Sequence, residues 1–178
     1  EYYDASLGGT ERVAGRISQV VTLEPRDGYR YAYNLWLDKM TGLPLKSRII
    51  NSNGAAVSMF VFSEVQIGKA PGIELFRNDL SGKRIQRASL DKAASVDWEV
   101  TPPPGFQQVQ KAVRSLPGKH EPVTHLVFSD GLSVLSMFLE SANPNMQSLQ
   151  GLSAEGAIGV YGRQVDGYNV TTLGEVPS

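Results

Sequence analysis

Residues 28–38 read Gly28-Tyr29-Arg30-Tyr31-Ala32-Tyr33-Asn34-Leu35-Trp36-Leu37-Asp38. Tyr29, Tyr31, Tyr33, Leu35 and Leu37 fall on one side of a two-residue period; Arg30, Asn34, Trp36 and Asp38 fall on the other. Successive side chains of a β-strand point to opposite faces, so this stretch predicts a strand with its odd-numbered side buried. The surroundings extend it into a meander. Upstream, residues 12–23 are rich in Val, Ile and Thr, and Glu24-Pro25-Arg26-Asp27-Gly28 supplies a turn with an Asp-Gly pair. Downstream, Asp38-Lys39-Met40-Thr41-Gly42 leads into a strand over 43–50, and Asn51-Ser52-Asn53-Gly54 into one over 55–67. Four strands joined by short Gly-bearing turns predict consecutive antiparallel pairing in a curved sheet or open barrel.

The pattern dissolves over residues 68–94, where Pro71-Gly72, Ser81-Gly82 and several charges interrupt it and one helical turn is expected around Leu75. We read this as a connector. A second region starts near Ser95, with a short strand over 96–100 that carries Trp98, the turn Pro102-Pro103-Pro104-Gly105, and a strand over 106–114. A hairpin about Asp130-Gly131 joins 123–128 to 132–140, and a last hairpin about Asp166-Gly167 joins 157–164 to 168–174. Residues 141–150 read as a loop, and Gly8-Gly9-Thr10 as a simple turn. The expectation is a mainly β (or α+β) chain with a first domain over 1–68, a connector over 69–94 and a small second domain over 95–178. No helix beyond about two turns is expected.

Composition narrows the function. The 17 basic and 18 acidic residues are mixed along a chain of net charge −1, so no uniform field steers it to nucleic acid or acidic membranes. There is no cysteine, hence no disulfide framework and no thiolate metal site. No apolar run approaches the roughly 20 residues of a membrane-spanning helix. The opening residues Glu1-Tyr2-Tyr3-Asp4 carry no initiator Met and no leader, which suggests a fragment or processed product.

Catalytic signals are weak throughout. The two histidines, His120 and His125, lack metal-type spacing, and read better as a surface and a half-buried side chain. No Gly-x-Ser-x-Gly elbow occurs, Gly8-Gly9-Thr10 lacks the spacing and lysine of a phosphate loop, and Asp97, Glu99 and Asp130 are scattered over turns and strand edges. No catalytic residue, metal ligand or cofactor is expected. Binding surfaces remain. Taken singly, the aromatic and aliphatic residues are ordinary core. Taken together, Tyr29, Tyr31, Tyr33, Leu35, Leu37, Met59 and Val61 predict the apolar inner face of a curved sheet able to hold an acyl chain, with tyrosine hydroxyls as anchors. Arg30 and Arg48 are candidate polar contacts to phosphates or acidic side chains, beside Arg26 and Lys46.

Three stretches resemble the RseB/MucB family. They are Tyr3-Asp4 with Gly9-Thr10-Glu11-Arg12-Val13-Ala14-Gly15-Arg16 and the strand to Leu23; residues 26–38 with Gly42-Leu43-Pro44-Leu45; and Trp98, Pro104-Gly105-Phe106, Phe128-Ser129-Asp130-Gly131-Leu132-Ser133 and Gly159 to Arg163 leading to Gly174-Glu175-Val176-Pro177. The resemblance implies the last strands of an unclosed β-barrel similar to the LolA/LolB lipoprotein carriers, followed by a smaller domain. It also implies a periplasmic, non-enzymatic regulator. Such a protein binds the periplasmic part of a membrane anti-sigma factor of the RseA/MucA type and shields it from proteolysis. Lipopolysaccharide or lipoprotein acyl chains are the implied releasing signals. Against the family's pattern, the first strands and helices and the helix after Pro177 are expected to be missing here, so the apolar face is expected to lack cover and either to favour self-association or to keep a separated N-terminal part bound. A lipid or lipoprotein carrier acting alone is the rival reading, and a hydrolase with an unseen site the more distant one.

Overall fold

The meander pairs in chain order. In the computed structural model, which describes residues 1–68, 70–77, 98–115, 121–143 and 148–177, an open five-stranded antiparallel sheet runs β1 (Tyr3–Val13), β2 (Arg16–Pro25), β3 (Ala32–Asp38), β4 (Pro44–Ile50), β5 (Ala56–Val61). The strand expected over 12–23 is instead broken by a tight hairpin. Val13 pairs with Arg16 across Ala14 and Gly15, whose φ values of 47° and 76° match the left-handed pair of a type I′ turn. Alanine at the first of these positions hid the turn from sequence inspection. Gly8-Gly9 is no turn: it lies inside β1, where the pairing shifts register between Leu7 and Thr10. A glycine pair absorbs such a bulge at low steric cost. The last strand stops at Val61 instead of running to Ile67.

Register decides which side chains share a face. Leu7 pairs with Val21, Val21 with Leu35, Leu35 with Ser47 and Ser47 with Phe60, giving one row across all five strands. Leu23, Tyr33, Ile49 and Ser58 form the neighbouring row on the same face. Met59 pairs with Arg48 and Val61 with Lys46, on the Trp36 face. The expected grouping of Met59 and Val61 with Tyr33 and Leu35 is therefore corrected: Phe60 is the β5 residue on that side. A second bulge opposite Trp36 and Leu37 turns Leu45 onto the Trp36 face, where both are buried with Val13.

Burial of β3 is two-sided. Tyr31 and Tyr33 are buried on the odd side and Leu35 and Leu37 half-buried, while Tyr29 precedes the strand and is exposed. Arg30, Trp36 and Asp38 on the even side are buried too. Polarity at alternate positions did not mark a solvent face here because each charge is paired. Asp38 takes both Arg16 Nε and an Arg16 terminal nitrogen at 2.9 Å and the Thr41 hydroxyl at 2.7 Å. The Trp36 indole N–H donates to Glu11 at 2.8 Å, and the Lys46 ammonium sits 3.9 Å from its ring centroid.

The second sheet has six strands: β6 (Gln107–Arg114), β7 (Val123–Ser129), β8 (Val134–Ser141), β9 (Gly151–Glu155), β10 (Ile158–Val165) and β11 (Tyr168–Gly174). Their order is β6-β7-β8-β11-β10-β9, so the chain leaves β8 for the far edge and returns through two hairpins. The hairpins about Asp130-Gly131 and Asp166-Gly167 form as expected; β9 was not anticipated. Phe106, Leu126, Phe128 and Leu139 make the core, with Trp98, Val100, Met137 and Val170 against it. Among the described residues the only helical element is a 3-10 turn at Ile73–Phe76, where a turn around Leu75 was expected. Residues 98–100 carry no strand assignment, while Val96, Asp97 and His120 lie outside the described residues. The chain is mainly β.

Candidate binding site

Two parts of one sheet face differ sharply in cover. Leu7 is 77% exposed and Phe60 56%, at the two ends of the row whose middle is Val21 and Leu35. Ile17 is also exposed on this side. Strands lie about 4.8 Å apart, so five of them give a row roughly 19 Å wide, long enough for an extended segment of about six residues. Toward the start of β3 the same face is covered. Tyr31, Tyr33 and Ile49 are buried with Ala157, which belongs to the β9–β10 turn of the second sheet. Tyr3, Leu23, Leu35 and Val57 pack around that cluster.

Arg30 stands at the junction between the sheets. Its guanidinium is fully buried, pairs with Asp27 just before it, and reaches Asp130 Oδ2 at 2.6 Å and the Pro104 carbonyl at 2.6 Å. The rings of Tyr2 and Phe106 lie 4.5 and 4.8 Å from it. Gly105, at φ 84°, lets the chain pass close, because a Cβ there would overlap the Tyr2 ring and the guanidinium. The Tyr33 hydroxyl meets Ser133 Oγ at 3.0 Å, and the Tyr3 hydroxyl donates to Asp130 at 3.3 Å. Burial pushes the Asp130 carboxyl up, but the N–H groups of Leu132 and Ser133 and the Arg30 guanidinium outweigh it and hold it below its ordinary value. Burial raises the Tyr3 and Tyr33 hydroxyls, so both stay protonated.

The expected site residues thus divide. Tyr31, Tyr33 and Leu35 come together, with Leu37 farther along the same face; Tyr29 is exposed beside them in the turn. Met59 and Val61 sit on the other face with Arg48, whose guanidinium carbon lies 5.6 Å from the Trp36 ring centroid. Arg30 faces the second sheet. Leu7, Phe60, Asp130 and Ala157 were missed. The run Met59-Phe60-Val61-Phe62 signalled a strand, but only the pairing register tells which of its residues turn inward.

At the far end of the sheet a shallow depression of about 480 Å³ is lined by Arg12, Gly15, Arg16, Ile17, Asp38, Lys39 and Met40. Arg16 and then Thr41 hold the Asp38 carboxyl down to about 2, so it stays ionised and spends its charge on Arg16. Arg12 and Lys39 give this rim a cationic surplus beside the apolar row. Among the described residues no group of three or more His, Cys, Asp or Glu side chains could hold a metal. His125 stacks on Phe138 at 4.3 Å and bonds Ser136, which is a packing role. No described helix is long and apolar enough to cross a membrane.

Comparison with known proteins agrees with this architecture. Residues 1–94 match the MucB/RseB N-terminal domain and residues 92–178 the MucB/RseB C-terminal domain. The sigma factor AlgU regulatory protein MucB of Pseudomonas aeruginosa is 34% identical over 181 residues, covering 99% of this chain and 57% of the relative. The sigma-E factor regulatory protein RseB of Escherichia coli K12 is 27% identical over 188 residues, covering 99% of this chain and 56% of the relative. The chain therefore spans little more than half the length of these relatives. A crystal structure of MucB in complex with MucA(peri) superposes with a TM-score of 0.75 at 33% identity, covering 99% of this chain and 63% of that one. With both family domains matched in order along a two-sheet fold, the chain belongs to the MucB/RseB family.

Proposed function

We propose that this chain is the binding part of a periplasmic, non-catalytic regulator that holds the periplasmic segment of a membrane anti-sigma factor and shields it from proteolysis. The observation that carries this reading is the likeness over 99% of the chain to MucB solved with MucA(peri). Physically, shielding needs an extended docking surface, and release needs a ligand that prefers the regulator free of its partner. Lipopolysaccharide or lipoprotein acyl chains fit the second role, because the open row through Leu7, Val21, Leu35 and Phe60 is apolar and Arg12 and Lys39 lie at its end. In this reading Tyr29, Tyr31, Tyr33, Leu35 and Leu37 line the ligand face, while Arg48, Met59 and Val61 serve the outer surface. Residues 1–68, 69–94 and 95–178 act as barrel part, connector and second domain. Isothermal titration of the chain with an anti-sigma periplasmic segment, with and without lipopolysaccharide, tests it. Saturable binding that weakens with lipopolysaccharide is expected; no heat of binding under either condition overturns it.

The open apolar row favours one second reading, a stand-alone lipid or lipoprotein carrier. A carrier binds acylated peptide and ignores the anti-sigma segment, so the same titration separates the two. The exposed row also supports self-association, which sedimentation velocity on the chain reads directly.

A further inference from the structure

Arg30 ties the two sheets together without belonging to either core, and each side of the tie is satisfied by its own sheet. Asp27, three residues before Arg30, pairs with it and also accepts the Tyr29 N–H. Asp130 gives Oδ1 to the N–H groups of Leu132 and Ser133 and offers only Oδ2 to Arg30. Breaking a buried ion pair is normally costly because a charge is left stranded. Here separation strands neither charge. The other described contacts across the junction include the Pro104 carbonyl and the Phe106 ring about Arg30, the Tyr2 ring against Gly105, two tyrosine hydroxyls on Asp130 and Ser133, Ala157 against Tyr31, Tyr33 and Ile49, and Gly156 beside the Val57 carbonyl.

We propose that Arg30 and Asp130 form a releasable latch between the sheets, and that undocking uncovers Tyr31, Tyr33 and Ile49 as a continuation of the open apolar row. In the latched state the β9–β10 turn covers the tyrosine end of the face. In the unlatched state the whole face is free and Arg30 stays at its rim with Asp27. Leu35 links the parts, since it packs against the tyrosine cluster and lies in the open row. A ligand filling both parts binds the unlatched state better and draws the population toward it by that difference in affinity. This consequence rests on the reading that an apolar ligand takes this face; the latch itself does not.

The absence of cysteine allows clean labelling. Cysteines introduced at exposed Ser52 and Arg163 carry spin labels, and pulsed electron paramagnetic resonance reads the distance between the sheets. Asp130→Asn keeps one carbonyl oxygen in the turn, yet in either orientation its amide sets N–H against N–H donors. The unsubstituted latch should give one narrow distance distribution. Asp130→Asn should add a longer, broader component, and the fluorescence of added N-phenyl-1-naphthylamine should rise about twofold if roughly half the molecules open. Tyr33→Phe, which removes only the bond to Ser133, should shift both readouts less in the same direction, and it decides the matter if Asp130→Asn loses its folded near-ultraviolet signal. Distances unchanged in the folded variants overturn the latch. A longer distance without extra dye binding overturns the uncovered face and leaves the latch standing.

Discussion

At the start of β3 the first sheet buries Tyr31, Tyr33 and Ile49 beneath a turn of the second sheet, while on the same face, at its two edges, Leu7 and Phe60 stand open. The chemistry of the two parts is alike: each row is aromatic and aliphatic apart from one serine, Ser47 or Ser58, on neighbouring rungs of one ladder. What differs is the neighbour. Ala157 of the second sheet lies over one part, beside the junction where Arg30 meets Asp130 and the chain passes close at Gly105. Apolar side chains alone therefore do not tell a covered face from an open one; the charged and glycine residues beside them help to.

The contrast can be broken at three strengths. Phe128→Ala removes a ring from the buried cluster of the second sheet and should cost about 3–5 kcal/mol, visible as a lower urea midpoint. If the covering turn depends on that sheet, dye binding at the tyrosine end should rise as well. Gly105→Ala forces a Cβ onto a residue at φ 84° against Tyr2 and Arg30, and should cost about 1–3 kcal/mol. A thermal melt indistinguishable from the parent would show that the junction has slack. Leu7→Ser, in the open part, should change stability by no more than about 0.5 kcal/mol yet weaken uptake of N-phenyl-1-naphthylamine.

Acid should sharpen the comparison from the other end of the sheet. Asp38 titrates at about 2 in the folded chain, held down by Arg16 and then Thr41, and in the ordinary carboxylate range when unfolded. The unfolded state thus takes the proton first as pH falls. The pair's contribution is full above the ordinary carboxylate range and drains away toward about 2. Asp38→Asn should flatten this acid limb in urea midpoints measured across that interval. An acid limb as steep as the parent's would place the titrating group elsewhere.

Much of the fold was legible in sequence because turn chemistry and period coincide. Asn51-Ser52-Asn53-Gly54, Asp130-Gly131 and Asp166-Gly167 each sit between alternating runs, and each is a hairpin. The misses have physical causes. Ala14 adopts positive φ without a sequence signal, and Leu45 changes face at a bulge that no local pattern announces. β9 joins the sheet as an exposed edge, where no burial pattern selects its residues. At the site, Tyr31, Tyr33 and Leu35 could be grouped because they share a strand. Grouping Leu7 with Phe60 requires the register of four pairings, and matching Arg30 with Asp130 spans 100 residues. The residues that carried the family resemblance at 26–38, 104–106 and 128–133 supply much of this junction.

Protease protection tests the regulatory reading most directly. An anti-sigma periplasmic segment is digested by a site-specific protease in the presence of rising amounts of the chain, and the cleavage rate is followed. The rate should fall saturably with chain added, recover when lipopolysaccharide is present, and fall less with the Leu7→Ser or Phe60→Ser variant if the open row takes part. A cleavage rate unchanged by a large excess of folded chain would contradict the reading.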